Sequence, residues 1–188
     1  SGDTLTVGGA VVYGEYPPEI SDAVSTVTTL SRFHGERPAV LRSSGTEPLT
    51  SELLGTVTWN DNFSQWEAKI AFAPQQKVSV SITPGDDKND IAPGEAFVMW
   101  AKEHDADARA YAAKQMVETA EDWQDQDDEA GEPITAESFA ARIRLTEITM
   151  EAEGDGTLWY DDDDIFGGHV IAVSVSAERT FTDAVMMG

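Results

Sequence analysis

The chain has 188 residues, no cysteine and a formal net charge of -23 at pH 7. The lack of cysteine excludes disulfides, thiolate metal sites and cysteine nucleophiles, and it favours a reducing compartment, so we expect a cytoplasmic protein. A surface this negative repels nucleic-acid phosphates and anionic lipid, and no apolar run approaches the roughly 20 residues of a membrane helix. We therefore expect neither a nucleic acid nor a membrane as partner. The charge is interpreted as solubility, as adaptation to salt, or as a surface shaped for a basic protein partner.

The first 50 residues are predicted to form a strand-rich N-terminal extension, separate from an α+β domain over residues 51–188. Short apolar runs at residues 5–7 and 10–13 flank Gly8-Gly9, a pair that is typical of a turn. A third run, residues 23–30, is rich in valine and threonine, which favour strands.

Three strands joined by short turns, an antiparallel meander, are predicted between residues 52 and 83. The first strand covers residues 54–59 and ends at the turn Asn60-Asp61-Asn62. Apolar residues then alternate with others over residues 66–72 and 78–82, the period of a half-buried strand.

The hydrophobic period changes over residues 95–123. Apolar side chains recur there every three or four positions, which predicts an amphipathic helix with a candidate break or second start at Asp105. A short second helix is predicted after Thr135, whose hydroxyl can cap its first turn, and this helix buries Phe139 and Ile143.

The last third of the chain returns to strand patterns. Alternation predicts a strand over residues 145–152, and the tight turn at residues 153–156 predicts that residues 157–160 pair back with it. The strongly apolar run over residues 170–175 predicts another strand, and residues 181–187 are a candidate for the last one. Within the first of these, strict alternation places Leu145 and Ile148 on opposite faces. A meander, two helices and a second meander predict an α+β fold. We expect an antiparallel sheet of two meanders, with one long and one short helix packed on a face.

An ordered set of residues resembles a known family. Leu54-Gly55 precedes Trp59, a turn and Trp66, and Tyr160 leads an aspartate run at residues 161–164 into Ile165-Phe166-Gly167-Gly168-His169. Over roughly residues 52–188 this order resembles the bacterial family of domains of unknown function numbered twenty-two sixty-two. The resemblance implies a strand, helix and strand unit and assigns no activity. The occurrence of some relatives in toxin–immunity gene neighbourhoods implies an immunity-like binding role rather than catalysis.

The aspartate run is the first candidate site. Carboxylate clusters bind Ca²⁺ or Mg²⁺, so Asp161, Asp163 and Asp164 are candidate metal ligands, although their spacing is not that of an EF-hand. We expect a hairpin over residues 145–160 to bring further carboxylates, from residues 151–155, to the same end of the sheet. The other interpretation is a solvated turn whose charges protect a sheet edge.

His169 is the second candidate. It follows two glycines, whose backbone can take unusual angles, and it precedes a strand that is predicted to be buried. It is interpreted as a general base, as a metal ligand, or as a donor to a carboxylate such as Asp163 that holds the turn. We favour the structural role. His34 and His104 form no metal motif with it.

Trp66 and Trp159 lie in neighbouring candidate hairpins next to charged residues, so they are interpreted either as core anchors or as an exposed binding patch. The sequence contains no nucleophile elbow, phosphate-binding loop or dinucleotide fingerprint. We therefore predict a non-enzymatic binding module without a cofactor that presents an acidic surface to a protein partner. Its candidate binding residues are Trp66, Trp159, Asp161, Asp163, Asp164 and His169. The alternative is a cation-binding or cation-dependent hydrolase domain that uses residues 161–164 and His169.

Overall fold

The computed structural model describes residues 4–7, 10–13, 46–124 and 133–188. The chain divides into two units, Ser1–Ser44 and Gly45–Gly188. In the first unit, strands β1 (Thr4–Val7) and β2 (Ala10–Tyr13) form an antiparallel pair, as their apolar runs predict. The strand predicted over residues 23–30 lies outside the described residues.

The second unit contains one eight-stranded sheet. In chain order its strands are β3 (Leu49–Ser51), β4 (Gly55–Asn60), β5 (Gln65–Ala73), β6 (Gln76–Ile82), β7 (Arg144–Met150), β8 (Gly156–Asp161), β9 (Val170–Val175) and β10 (Phe181–Met187). They also lie in this order across the sheet, from β3 at one edge to β10 at the other. A mostly antiparallel sheet with two helices confirms the predicted α+β class.

The central strands β6 and β7 are parallel, whereas all other neighbours in the sheet are antiparallel. The chain between them forms helix α1 (Ala92–Gln124) and helix α2 (Ala136–Arg142). Parallel neighbours require a long crossover connection, which is usually helical. Alternation along each strand carries no information about its direction, so the sequence did not predict this parallel pair.

Helix α1 is continuous over 33 residues. The carboxylate of Asp90 accepts a hydrogen bond from the N–H of Ala92 (3.0 Å) at its start. The candidate break at Asp105 does not occur, because the Asp105 side chain bonds to other side chains and leaves the helical backbone intact. Among the described residues, neither α1 nor α2 has the length and apolar composition of a membrane-spanning helix.

Helix α2 begins as predicted. Thr135 is its N-cap and forms a capping box with Ser138, in which each side chain bonds the other residue's backbone N–H (3.1 and 2.8 Å). Phe139 is fully buried and Ile143, at the C-terminal cap, is 2% exposed. Both predicted core positions of this helix are therefore confirmed.

The core lies against one face of the sheet. Its residues recur at every second position of a strand, as in β6, where Val78, Val80 and Ile82 are buried on this face; Ser81, on the opposite face, is 9% exposed. The sheet also approaches α1 closely. A Cβ on Gly156 would clash with the Phe97 ring and with the Thr149 carbonyl, so only glycine fits at this contact.

Strand β7 departs from strict alternation. Leu145, Ile148 and Met150 are all buried, although Leu145 and Ile148 are three positions apart. A register shift between Leu145 and Glu147 places an additional residue in this strand relative to β8. Such a bulge reverses the alternation of side chains, which brings all three apolar residues to the core. The prediction that Leu145 and Ile148 lie on opposite faces is therefore wrong.

Candidate functional site

The face of the sheet opposite the core carries a row of polar side chains in the central strands. The register places Trp159 of β8 beside Glu147 of β7, and Glu147 beside Ser79 of β6. In the next row, Ser81 of β6 lies beside Glu67 of β5. We call the side chains of Glu67, Ser79, Ser81, Glu147 and Trp159 the open face. Each one lies next in sequence to a buried core residue, so it points away from the core.

A depression of about 250 Å³ lies on the open face between β5, β6 and β7. Its lining residues are Glu67, Ala68, Ser79, Val80, Ser81 and Glu147. Glu147 accepts a hydrogen bond from the Ser81 hydroxyl (3.3 Å), and Glu67 accepts bonds from the amides of Asn60 (2.7 Å) and Gln65 (2.9 Å). These donors are neutral, so they orient the two carboxylates without neutralising them.

The ion pairs of the described residues lie elsewhere, between Arg109 and Asp105 and between Arg142 and Asp163. Lys69 lies beside Ser79 in the sheet register, yet it makes no ion pair within 4.0 Å with a described carboxylate. The two glutamates of the depression therefore carry negative charge that no described cation balances by contact.

The two candidate tryptophans lie on opposite faces of the sheet. Trp159 is partly exposed on the open face, where its indole N–H donates to the Thr149 hydroxyl (3.2 Å). Trp66 is 0% exposed in the core, packs edge-to-face on Trp59 (5.2 Å between ring centroids) and donates its N–H to the Lys88 carbonyl (2.6 Å). Trp66 is thus a core residue, and the exposed Trp66–Trp159 patch does not form.

The two groups of carboxylates do not meet at one end of the sheet. In the β7–β8 hairpin Met150 pairs with Gly156 next to the turn, whereas Arg144 pairs with Asp161 at the far end. Five residue steps of β8 separate these ends, about 17 Å at the usual strand rise. The prediction that residues 151–155 join the aspartate run is wrong, because the turn of a hairpin and the end of its second strand lie a full strand length apart.

Asp162 organises the turn that contains the aspartate run. It is 2% exposed, and its carboxylate accepts hydrogen bonds from the backbone N–H groups of Asp164 (3.2 Å), Phe166 (2.7 Å) and Gly168 (3.3 Å). Gly167 and Gly168 adopt positive φ angles of 70° and 87°, as their lack of a side chain permits. The turn is therefore built around one buried carboxylate that the sequence did not single out.

The three candidate metal ligands have separate surroundings. Asp161 accepts a hydrogen bond from the N–H of Asp163 (3.0 Å), and the Asp163 carboxylate binds the Arg142 guanidinium (2.9 Å). Asp164 is exposed. Across residues 46–124 and 133–188, no three acidic or histidine side chains are grouped as a metal site.

His169 holds the end of the same turn. Its Nδ1–H donates to the carbonyl of Phe166 (2.6 Å), and its ring packs edge-to-face on Trp123 (5.6 Å between centroids). Asp163, the carboxylate suggested as its partner, binds Arg142 instead. These contacts describe a structural role for His169.

A partly buried polar cluster that the sequence did not reveal links α1 to the sheet. The hydroxyl of Tyr160, which is 0% exposed, donates to Asp105 (3.1 Å). Asp105 also pairs with Arg109 (3.1 Å), whose guanidinium donates to the Ala140 carbonyl in α2 (2.9 Å). In the sequence, Asp105 stands out as a carboxylate inside a helical pattern, which indicates a candidate break or second start of the helix.

Tyr160 makes the stability of the domain pH-dependent. Burial, together with the negative charge of Asp105, raises the pKa of Tyr160 well above its ordinary value of 10.0. The unfolded chain therefore loses this proton near pH 10 while the folded chain keeps it. The protonated Tyr160 makes its full contribution to the free energy of unfolding below pH 10. Above pH 10 the free energy of unfolding falls by about 1.4 kcal/mol per pH unit.

We expect the variant Tyr160→Phe to lack this fall in the free energy of unfolding above pH 10. Urea unfolding of both proteins between pH 8 and 11.5 gives the free energy of unfolding as a function of pH. The difference between the two slopes isolates Tyr160, because the exposed lysines and tyrosines titrate in both proteins. The variant also loses about 1.5 to 3 kcal/mol at neutral pH, because the buried Tyr160 hydroxyl donates its hydrogen bond to a carboxylate. Parallel curves above pH 10 would contradict the assignment.

Together, the fold and the open face define an α+β domain with an acidic depression on the side of its sheet opposite the core. The profile of a bacterial family, "Uncharacterized protein conserved in bacteria (DUF2262)", matches residues 51–186, and the chain belongs to that family. This confirms the resemblance seen in the sequence. Comparison with the curated proteins and with the solved structures gives no significant match.

Proposed function

We propose that this domain is a non-enzymatic binding module whose acidic surface receives a basic protein partner. The observation that carries the proposal is the open face, where Glu67 and Glu147 line one depression with neutral hydrogen-bond donors around them. A lysine or arginine side chain of a partner would supply the cation that these carboxylates lack among the described residues.

Trp159 adds an apolar anchor beside this charge. It pairs in register with Glu147, and its bond to Thr149 orients the indole ring. Arginine pairs well with such a combination, because its guanidinium both stacks on aromatic rings and binds carboxylates. Aromatic residues also contribute a large share of binding energy at interfaces.

The positions of the described histidines support a role without catalysis. His104 stacks on Trp100 (4.7 Å between ring centroids), and His169 packs on Trp123 (5.6 Å). The hydroxyls of the open face, Ser79 and Ser81, lie in another part of the fold, and Ser81 donates to a glutamate. A serine nucleophile would require a neighbouring base, which neither histidine supplies.

The net charge of -23 favours fast association with a basic partner. We expect the immobilised domain to capture such a partner at low salt and to release it as salt screens the attraction. Replacing both Glu67 and Glu147 with lysine weakens binding at least about 10-fold, because like charges placed opposite each other cost several kcal/mol. Titration calorimetry with the captured protein measures this loss.

The matched control replaces Glu118 and Glu121 with lysine. Both residues are exposed on α1, and the change in net charge is identical. The control keeps its affinity within about threefold if the partner binds the open face. Equal losses in the two variants would mean that only the overall charge matters, and capture that is indifferent to salt would contradict the proposal.

A Ca²⁺ or Mg²⁺ site at Asp161, Asp163 and Asp164 is the alternative proposal. Thermal-shift measurements with calcium, magnesium, zinc and a chelator at fixed ionic strength test it. A rise in melting temperature with one cation, abolished by the chelator, would support this site. A melting temperature that rises with sodium chloride and shows no preference for one cation would mean that these carboxylates are ordinary surface charges.

A further inference from the structure

The sheet ends in β10, and no strand among the described residues pairs with its outer edge. β10 has seven residues, compared with three in β3 at the opposite edge. Sheet edges in natural proteins are usually short, charged or covered, because their free N–H and C=O groups can pair with another chain. In β10 the only charged residue is Asp183.

Part of β10 is regular enough to pair with an additional strand. After the bulge between Phe181 and Asp183, the register with β9 is continuous from Asp183 to Met187. Val185 and Met187 are 38% and 46% exposed in this stretch. Val170 of β9, which pairs with Met187, is also 39% exposed, so the exposed apolar side chains form a patch at this edge of the sheet.

These exposed side chains continue the open face to the edge of the sheet. Trp159 pairs with Ala172 of β9, and Ala172 pairs with Val185 of β10. Directly paired residues share a face of the sheet. One row of side chains therefore runs from Glu147, across Trp159 and Ala172, to Val185.

The charge near β10 is negative. Asp183 lies on the strand and Glu178 in the turn before it, and both are exposed. The nearest cation in the sequence, Arg179, is directed elsewhere, because it donates to the Gly154 carbonyl (2.8 Å) and lies over the Phe97 ring (4.6 Å). Charge complementarity therefore favours a basic occupant, whereas a second copy of this chain would bring another -23 charges.

We propose that β10 receives an extended basic segment of the partner as an additional strand of the sheet. The backbone of Asp183–Met187 supplies the hydrogen bonds, Val185 and Met187 contact apolar side chains at alternate positions of the segment, and the acidic surroundings select lysine or arginine at the others. This inference rests on the proposed function and states how the partner is bound.

The test uses a synthetic peptide of about ten alternating lysine and valine residues, long enough for one strand. Amide chemical shifts of the full-length ¹⁵N-labelled chain locate its binding, and amide hydrogen exchange reports new protection. We expect changes centred on β10 and protection of amides in Asp183–Met187. Methylating the peptide nitrogens on one edge weakens binding at least about 10-fold if that edge pairs with β10.

Two variants sharpen the test. Val185→Lys adds a like charge to the edge and weakens binding at least about 10-fold. Met99→Lys makes the same change in charge at a side chain that is 55% exposed on α1, and it binds like the original chain. Chemical shifts of the unbound variants verify that both are folded.

Any of the following results would overturn the inference. Failure of the peptide to bind, equal binding of a glutamate–valine peptide, or shifts confined to Glu67 and Glu147 would exclude a basic strand at β10. Shifts confined to Glu67 and Glu147 would not contradict the proposed function. That function is tested separately, by the loss of partner affinity when Glu67 and Glu147 are replaced with lysine. Protection of β10 that grows with protein concentration alone would identify a second copy as the occupant.

Discussion

Replacing Asp162 with alanine lowers the free energy of unfolding by about 3 to 5 kcal/mol. The Asp162 carboxylate is 2% exposed and accepts three backbone hydrogen bonds, from Asp164, Phe166 and Gly168. Bonds to a charged acceptor contribute about 1.5 to 3 kcal/mol each, and their loss leaves buried donors unsatisfied. These contributions are not additive, so we expect less than their sum. Urea unfolding followed by tryptophan fluorescence measures the change.

The matched control for this prediction is Asp161→Ala, one residue earlier in the same aspartate run. Asp161 is exposed and accepts a single backbone bond, from Asp163 (3.0 Å). We expect a loss of about 1 kcal/mol or less. Equal effects of the two substitutions would mean that Asp162 does not organise the turn. A calcium-induced rise in melting temperature that disappears in the control would favour the cation site instead.

Replacing Trp66 with alanine lowers the free energy of unfolding by about 3 to 5 kcal/mol, the usual cost of removing a buried tryptophan. Its ring is fully buried against Trp59, and its N–H bonds to the Lys88 carbonyl, which ties β5 to the loop before α1. Thermal or urea unfolding measures the loss. Trp66→Phe keeps most of the apolar contact, so it should lose less.

Trp159→Ala is the comparison that separates packing from binding. Trp159 is partly exposed on the opposite face, so its removal costs less stability than removal of Trp66, while it weakens partner binding. A variant that unfolds as readily as Trp66→Ala would place Trp159 among the core residues. A folded variant with full affinity for the partner would exclude Trp159 from the interface.

Elements that depend on neighbours in the sequence were predictable. Val78, Val80 and Ile82 alternate in the sequence and are all buried in β6. Thr135 caps α2 as expected, because its partner Ser138 lies three residues away. Such patterns reflect short-range geometry: the period of a strand or helix, and the reach of a capping side chain.

The candidate site was predictable only in part. The sequence named Trp159 and His169 among the candidate binding residues, with a core or structural role as the other interpretation of each, but it did not indicate Glu67 and Glu147. These two glutamates line one depression because β6 and β7 pair in parallel after the helical crossover. Which of Trp66 and Trp159 is exposed likewise depends on which face of the sheet is buried, and the alternation of residues along a strand does not predict that face.

The sequence by itself determined the α+β class, most strands and both helices, the family and the acidic character of this chain. Only the tertiary structure decided the parallel pair, the bulge that brings Leu145 to the core, and the separation of the two groups of carboxylates. It also decided the contact of Asp105 with Tyr160, 55 residues away. The physical reason is that local order depends on spacing of a few residues, whereas pairing between distant segments depends on how the whole core packs.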